Sequence, residues 1–255
     1  MNQSLKSRLR SGEQTLGSWI TLGNAGIAEI LAKAGFDWLV VDLEHSTMSI
    51  ADAGELIRTI DLCGVAPLVR LTSNDPNQVK RVMDCGAHGI VVPMINSAEE
   101  ASQAVAATCY PPRGTRGVGL GRAQGYGVRF QEYLRWQASE AVVIVQIEHH
   151  SAVEAIDSIL AVDGVDGFIV GPYDLSCSMG IPGQFERPEF IAALERIKRG
   201  GIQAKKPGGL HIVEPDPERL VRARGEGYLF NAYGVDFRFL DVGARSGLAK
   251  ARGRE

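Results

Sequence analysis

Residues 38–64 read WLVVDLEHSTMSIADAGELIRTIDLCG. Four apolar residues, Trp38 to Val41, run straight into Asp42, Glu44 and His45. Beyond them Ile50, Ala53, Leu56, Ile57 and Ile60 recur at the spacing of one helix face. The segment is a buried strand, a charged turn and an amphipathic helix. A strand apolar at consecutive positions is covered on both faces, as parallel strands are.

The same unit repeats in both directions. LGSWITL (16–22) precedes a helical AGIAEILAKAG behind Asn24, an N-cap residue. APLVRL (66–71) precedes DPNQVKRVMDCG, with Pro76 in the first turn. GIVVPMI (89–95) precedes SAEEASQAVAATC, and AVVIVQIE (141–148) precedes SAVEAIDSIL. GFIVG (167–171), GGLHIV (208–213) and YLFNAYG (228–234) follow, each with a helical stretch after it. Eight strand–helix units in 255 residues predict a (β/α)8 TIM barrel, one domain over 1–255. A doubly wound open sheet is the competing architecture.

Composition narrows the function classes. With a net charge of −3 and no basic run, the chain lacks a nucleic-acid footprint. Its four cysteines show no C-x-x-C spacing, so neither a disulfide framework nor a structural zinc site is expected, and a reducing cytoplasm fits best. The N-terminus is polar and no stretch approaches 18 apolar residues, so neither a signal peptide nor a membrane span is predicted. One segment breaks the rhythm: YPPRGTRGVGLGRAQGYG (110–127) holds six glycines. A helix and Pro-Pro precede it, which argues against a dinucleotide loop. It is expected to be a long loop on the barrel's active face.

In such a barrel, catalytic groups sit at the C-terminal ends of the strands. Read in order, those ends carry Trp19, then Asp42, Glu44 and His45, then Arg70, Gln146 and Glu148, and Asp174 in GPYD. Glu148 and Asp174 could hold a hard divalent cation, or each could cap the helix that follows. His149 and His150 keep a His-containing zinc site open, though adjacent residues rarely point the same way in extended chain. His45 is the candidate general base, because imidazole titrates near neutrality; a hydrogen-bonded loop histidine is the bland alternative. Arg70 is costly to bury without an anion, which a substrate oxygen or a structural ion pair could supply. His88 at a strand start reads as structural, and His211 within strand seven stays ambiguous. No lysine falls at a strand end, which disfavours Schiff-base chemistry.

The motifs VVDLEH, PLVR, GAHGIVVPMI, YPPRGTRGVG, QIE, GFIVGPYDLSCSMG and GYLFNAYGVDFRFL, in that order, resemble the HpcH/HpaI aldolases over about residues 5–245. The resemblance implies a barrel of the phosphoenolpyruvate/pyruvate superfamily and a metal-dependent pyruvate aldolase. Such an enzyme cleaves a 4-hydroxy-2-oxo acid to pyruvate and an aldehyde. The resemblance also implies that Glu148 and Asp174 bind Mg²⁺, Mn²⁺ or Co²⁺, with Asp42 and Glu44 supporting them from behind. His45 would be the base, paired with Asp84 from a neighbouring subunit. Arg70 and Gln146 would contact pyruvate, and backbone amides of Gly171, Pro172, Tyr173 and Asp174 would hold its carboxylate. Trp19 and Leu210 would line the pocket, and Arg122 would face the aldehyde. The last helix would be exchanged between partners in a homohexamer built of dimers. Gln124, Tyr173 and His211 depart from the family pattern, all on the acceptor side. The competing functions are a citrate-synthase-like condensing transferase and a non-catalytic keto-acid binding protein.

Overall fold

The computed structural model describes residues 3–253. Eight parallel strands close in sequential order: β1 (Thr15–Ile20), β2 (Trp38–Asp42), β3 (Ala66–Arg70), β4 (Gly89–Val92), β5 (Val142–Ile147), β6 (Gly167–Val170), β7 (Gly208–Ile212) and β8 (Phe230–Val235). The expected barrel is the observed one, and the open sheet is excluded by the β8–β1 pairing.

Helix α1 (Leu5–Arg10) precedes the barrel, and α2 (Ala25–Lys33), α3 (Ile50–Leu62), α4 (Pro76–Cys85) and α5 (Ala98–Thr108) follow the first four strands. Their starts are written locally. Asn24 and Asp75 accept backbone N–H groups of the first turns, and Ser49 with Asp52 forms a reciprocal capping box. Helix α6 (Phe130–Glu140) lies in a stretch that reads as irregular; no side chain caps its start, and it fully buries only Tyr133 and Gln137. The remaining helices are α7 (His150–Glu154), α8 (Ile156–Leu160), α9 (Pro172–Ser178), α10 (Pro188–Ala204), α11 (Pro217–Gly225) and α12 (Asp236–Ala251).

Inside the barrel, Trp38 stacks on Phe230 at 4.0 Å and meets Trp19 edge-on at 6.1 Å. Gly17 makes room for this: a Cβ there would lie 2.1 Å from the Trp38 ring. Helix α1 closes the N-terminal end with Leu5 and Leu9, and Lys6 pairs there with Asp166 at 2.9 Å. That end is sealed, so the open mouth is at the strand C-termini.

The glycine-rich segment corrects an expectation. It joins α5 to α6 on the way to β5, and the chain leaving the C-terminal end of α5 is already at the strand starts. Accordingly Gly121 and Ala123 pack at the C-terminal end of α4, where Asp84 Oδ1 accepts from Arg116 (2.6 Å) and Gln124 (3.1 Å). Its glycine content suggested a functional loop; the order of elements puts it at the opposite end from this chain's mouth.

Candidate active site

The strand tips and the first turn of α9 surround a cavity of about 440 Å³ lined by Trp19, Asp42, His45, Arg70, Gln146, Gly171 to Asp174 and His211, among others. Two larger cavities, about 620 and 570 Å³, lie around Asp61, His88 and Trp136 at the other end and include no strand tip.

Parallel register sets Asp42 directly beside Arg70 on neighbouring strands. Arg70 Nε and Nη2 donate to the two Asp42 oxygens at 2.9 and 2.6 Å, a fork-on-fork pair. Asp42 Oδ1 also accepts from the backbone N–H of Glu44 (3.0 Å) and His45 (3.3 Å), so one carboxylate fixes both the arginine and the turn. Burial works against the guanidinium charge, but Asp42, Glu44 and Glu148 outweigh it and hold its pKa above the ordinary value. Asp42 thus serves Arg70, and its role toward a metal is at most indirect.

Glu148 is buried at the tip of β5, where its Oε1 accepts the Met94 N–H at 2.7 Å and its Oε2 accepts from Gln146. Met94 has φ 54°, a left-handed conformation rare outside glycine, and its N–H meets the carboxylate from there. Burial is the main reason that the Glu148 carboxyl is pushed up to about 7; the two hydrogen bonds oppose the shift, and the charges of Glu44 and Asp174 add to it. Glu44 is likewise raised by burial, with Arg70 opposing and Asp42 and Asp174 adding. Its Oε2 lies 3.1 Å from Arg70 Nη1 without an aligned hydrogen bond, and remains a buried oxygen with no partner.

Glu44, Glu148 and Asp174 therefore crowd together beside the cavity, one with an oxygen that makes no hydrogen bond and one pushed toward neutrality. A divalent cation would relieve that arrangement, and Glu148 and Asp174 offer carboxylate oxygens of the kind a hard cation prefers. Among the described residues no group of three or more His, Cys, Asp and Glu could hold a metal ion by itself, so water and substrate oxygens would complete the shell. His149 caps α7 by accepting the Ser151 N–H, and its ring packs on His150 at 4.3 Å, so no zinc site forms around the pair.

At α9 no side chain caps the first turn. Pro172 has no N–H and the Gly171 N–H donates to Ile147 O at 3.1 Å, so the four-residue amide cradle reduces to Tyr173 and Asp174. His45 stands at the rim with its side chain 65% exposed, Nε2 3.9 Å from Glu44.

Three further candidate residues lie outside this chain's own cavity, Asp84 among them as a residue expected to serve a neighbouring subunit. Asp84 sits at the strand-start end with Arg116 and Gln124, away from His45. Arg122 donates to Asp61 at 2.5 Å at that same end, beside His88, whose Nε2 is 3.2 Å from Asp61. Leu210 does not line the mouth: side chains alternate along β7, so Leu210 packs outward toward the helices and His211 turns inward onto Trp19. Sequence reading missed Met94, whose left-handed backbone has no residue-type signal, and left His211 undecided because strand phase is needed to orient it.

A closed barrel with an arginine and an acidic cluster at its strand tips defines an enzyme built for a small oxyanion-bearing substrate. A model of the HpcH/HpaI aldolase/citrate lyase family matches residues 15–240. The 4-hydroxy-2-oxo-heptane-1,7-dioate aldolase of Salmonella paratyphi C (strain RKS4594) is 42% identical over 250 residues, 96% of this chain and 93% of that one. A family member from Burkholderia cenocepacia J2315 superposes with a TM-score of 0.92 at 34% identity, covering 97% and 98% of the two chains. The citrate synthase SbnG superposes with a TM-score of 0.87 at 26% identity, covering 98% of each chain. The chain belongs to the HpcH/HpaI aldolase/citrate lyase family. It is an aldolase, a carbon–carbon lyase.

Proposed function

We propose that the chain reversibly cleaves 4-hydroxy-2-oxo acids to pyruvate and an aldehyde, as a cytoplasmic homohexamer that uses a divalent cation held by Glu148 and Asp174. The observation that carries this reading is the fork-held Arg70 set beside a crowded acidic cluster at the edge of one small cavity. The cation, Mg²⁺, Mn²⁺ or Co²⁺, supplies Lewis acidity toward the 2-keto oxygen and the carboxylate. The Tyr173 and Asp174 amides bind the substrate carboxylate at the positive end of α9. Arg70 keeps N–H groups on Nη1 and Nη2 free of Asp42, and these stabilise charge as it develops on the 2-oxygen. Gln146 orients Glu148 and borders the same oxygen. His45 removes the proton of the 4-hydroxyl; the C3–C4 bond breaks, the aldehyde leaves, and the electron pair passes to the pyruvate enolate. Protonation at C3 then yields pyruvate. Asp84 of a neighbouring subunit orients His45 and stabilises its charged form, and Arg122 reaches the aldehyde half by the same route. Four free cysteines among the described residues suit a reducing compartment, and no helix there is long and apolar enough to cross a membrane.

The test is cleavage of a 4-hydroxy-2-oxo acid followed by pyruvate release, before and after chelation. Activity is expected to vanish with EDTA and to return with Mg²⁺, Mn²⁺ or Co²⁺. Full activity in excess chelator would remove the cation from the account. The condensing alternative requires product from oxaloacetate and an acyl thioester, which is not expected to form.

A further inference from the structure

The mouth has two unlike walls. Strands β2, β3, β5 and β6 and the start of α9 supply the charged one. Strands β1, β7 and β8, with their following turns, supply Trp19, Thr21, His211, Val213, Val235 and Phe237. The polar groups of this second wall are nearly all either hydrogen-bonded or wholly covered. Thr21 gives its N–H and its hydroxyl to Asp236 at 3.0 and 2.8 Å, and the Trp19 indole N–H is wholly covered.

His211 is the exception. Its ring lies flat on Trp19, with centroids 4.5 Å apart and planes 23° from parallel, and its Nε2 is 3.1 Å from the Gly234 carbonyl oxygen. A carbonyl oxygen only accepts, so Nε2 carries the ring proton. Burial pushes the pKa down to about 4, with Arg70 acting the same way and the Gly234 bond and Asp42 acting against, so the ring is neutral at physiological pH. A neutral imidazole protonated at Nε2 offers Nδ1 as an acceptor only. That atom makes no hydrogen bond among the described residues, and it is not sealed off as the Trp19 N–H is.

The geometry points to His211 as a specificity residue that accepts a hydrogen bond from a hydroxyl on the aldehyde half of the substrate, so that hydroxyaldehydes are selected over apolar aldehydes of equal size. This rests on the aldolase reading, in which the charged wall holds the keto acid and the aldehyde half faces the second wall. An apolar chain gives Nδ1 no partner, and a carboxylate or carbonyl offers it only lone pairs.

The test is aldol addition of pyruvate to glycolaldehyde and to propanal, near-isosteres that exchange O–H for CH₃. It is run on wild type, His211→Phe and His211→Gln, with exchange of the pyruvate methyl protons measured on each. Phe keeps a ring against Trp19 and lacks the lone pair; Gln retains a donor for Gly234 and an acceptor oxygen. The glycolaldehyde-to-propanal ratio of kcat/KM is expected to fall roughly five- to tenfold in the Phe variant and to recover in the Gln variant. Should the Phe variant not fold, His211→Leu gives the same comparison. An unchanged ratio in a variant that still exchanges pyruvate protons overturns the role of His211 and leaves the aldolase reading standing. Absence of exchange in metal-supplied wild type overturns both.

Discussion

At the residue scale, the most consequential pair is Asp42 with Arg70. Both are buried, and removing one partner of such a pair leaves an uncompensated charge at a cost of about 3–5 kcal/mol. Arg70→Ala would therefore mix lost catalysis with lost stability. Arg70→Lys keeps the charge but cannot span both Asp42 oxygens and still reach the substrate. It is expected to remain folded by circular dichroism while kcat falls by roughly 10²–10³, the usual effect of losing one donor to a developing oxyanion. A variant within a few-fold of wild type would make Arg70 structural. The residue types here were legible from sequence, because charge at the end of an apolar strand is conspicuous. Their partners were not: Arg70 finds Asp42 through the β2–β3 register, and Glu148 finds Met94 through a backbone conformation that methionine does not announce.

At the scale of elements, β6 and α9 meet at Gly171, whose backbone passes close beside Glu148. A Cβ there would lie 2.7 Å from Glu148 Oε2 and 3.3 Å from the Gln146 amide, while φ of −94° suits any residue. Gly171→Ala is thus expected to displace the acid rather than strain the chain. Thermal unfolding should change little, and calorimetric affinity for Mn²⁺ should fall by roughly 10- to 100-fold, as when a ligand loses its orientation. Unaltered affinity would place the cation elsewhere. The strands were readable because both-face burial writes continuous apolar runs. Helix α6 was not, since a glycine-rich run precedes it and no side chain caps its start. The glycine-rich segment differs: its composition suggests the active face, whereas the chain that leaves the C-terminal end of α5 lies at the strand starts. Leu210 and His211 show the cost of not knowing strand phase, as a shift of one residue exchanges pocket for core.

At the scale of the whole molecule, α12 spans 16 residues yet buries only Asp236, and Phe237, Leu240 and Leu248 stay exposed. Val118, Leu120 and Tyr126 are exposed on the glycine-rich segment beside Asp84, and Val128 just after it. Both surfaces suit assembly, and the proposed pairing of Asp84 with His45 requires it, because the two residues occupy opposite ends of one barrel. His45→Ala and Asp84→Ala should each be nearly inactive alone. Refolded together at equal amounts, they should regain activity in roughly a quarter of sites, since random mixing pairs intact groups across subunits that often. A mixture no more active than its components would contradict a site shared between chains.

The central claim is that this pocket forms a pyruvate enolate, and proton NMR of pyruvate in D₂O reads that step without any choice of aldehyde. With Mg²⁺ or Co²⁺ supplied, the methyl signal is expected to decay as its protons exchange, and to persist when EDTA is present. A methyl signal that persists with folded, metal-loaded protein would contradict the account.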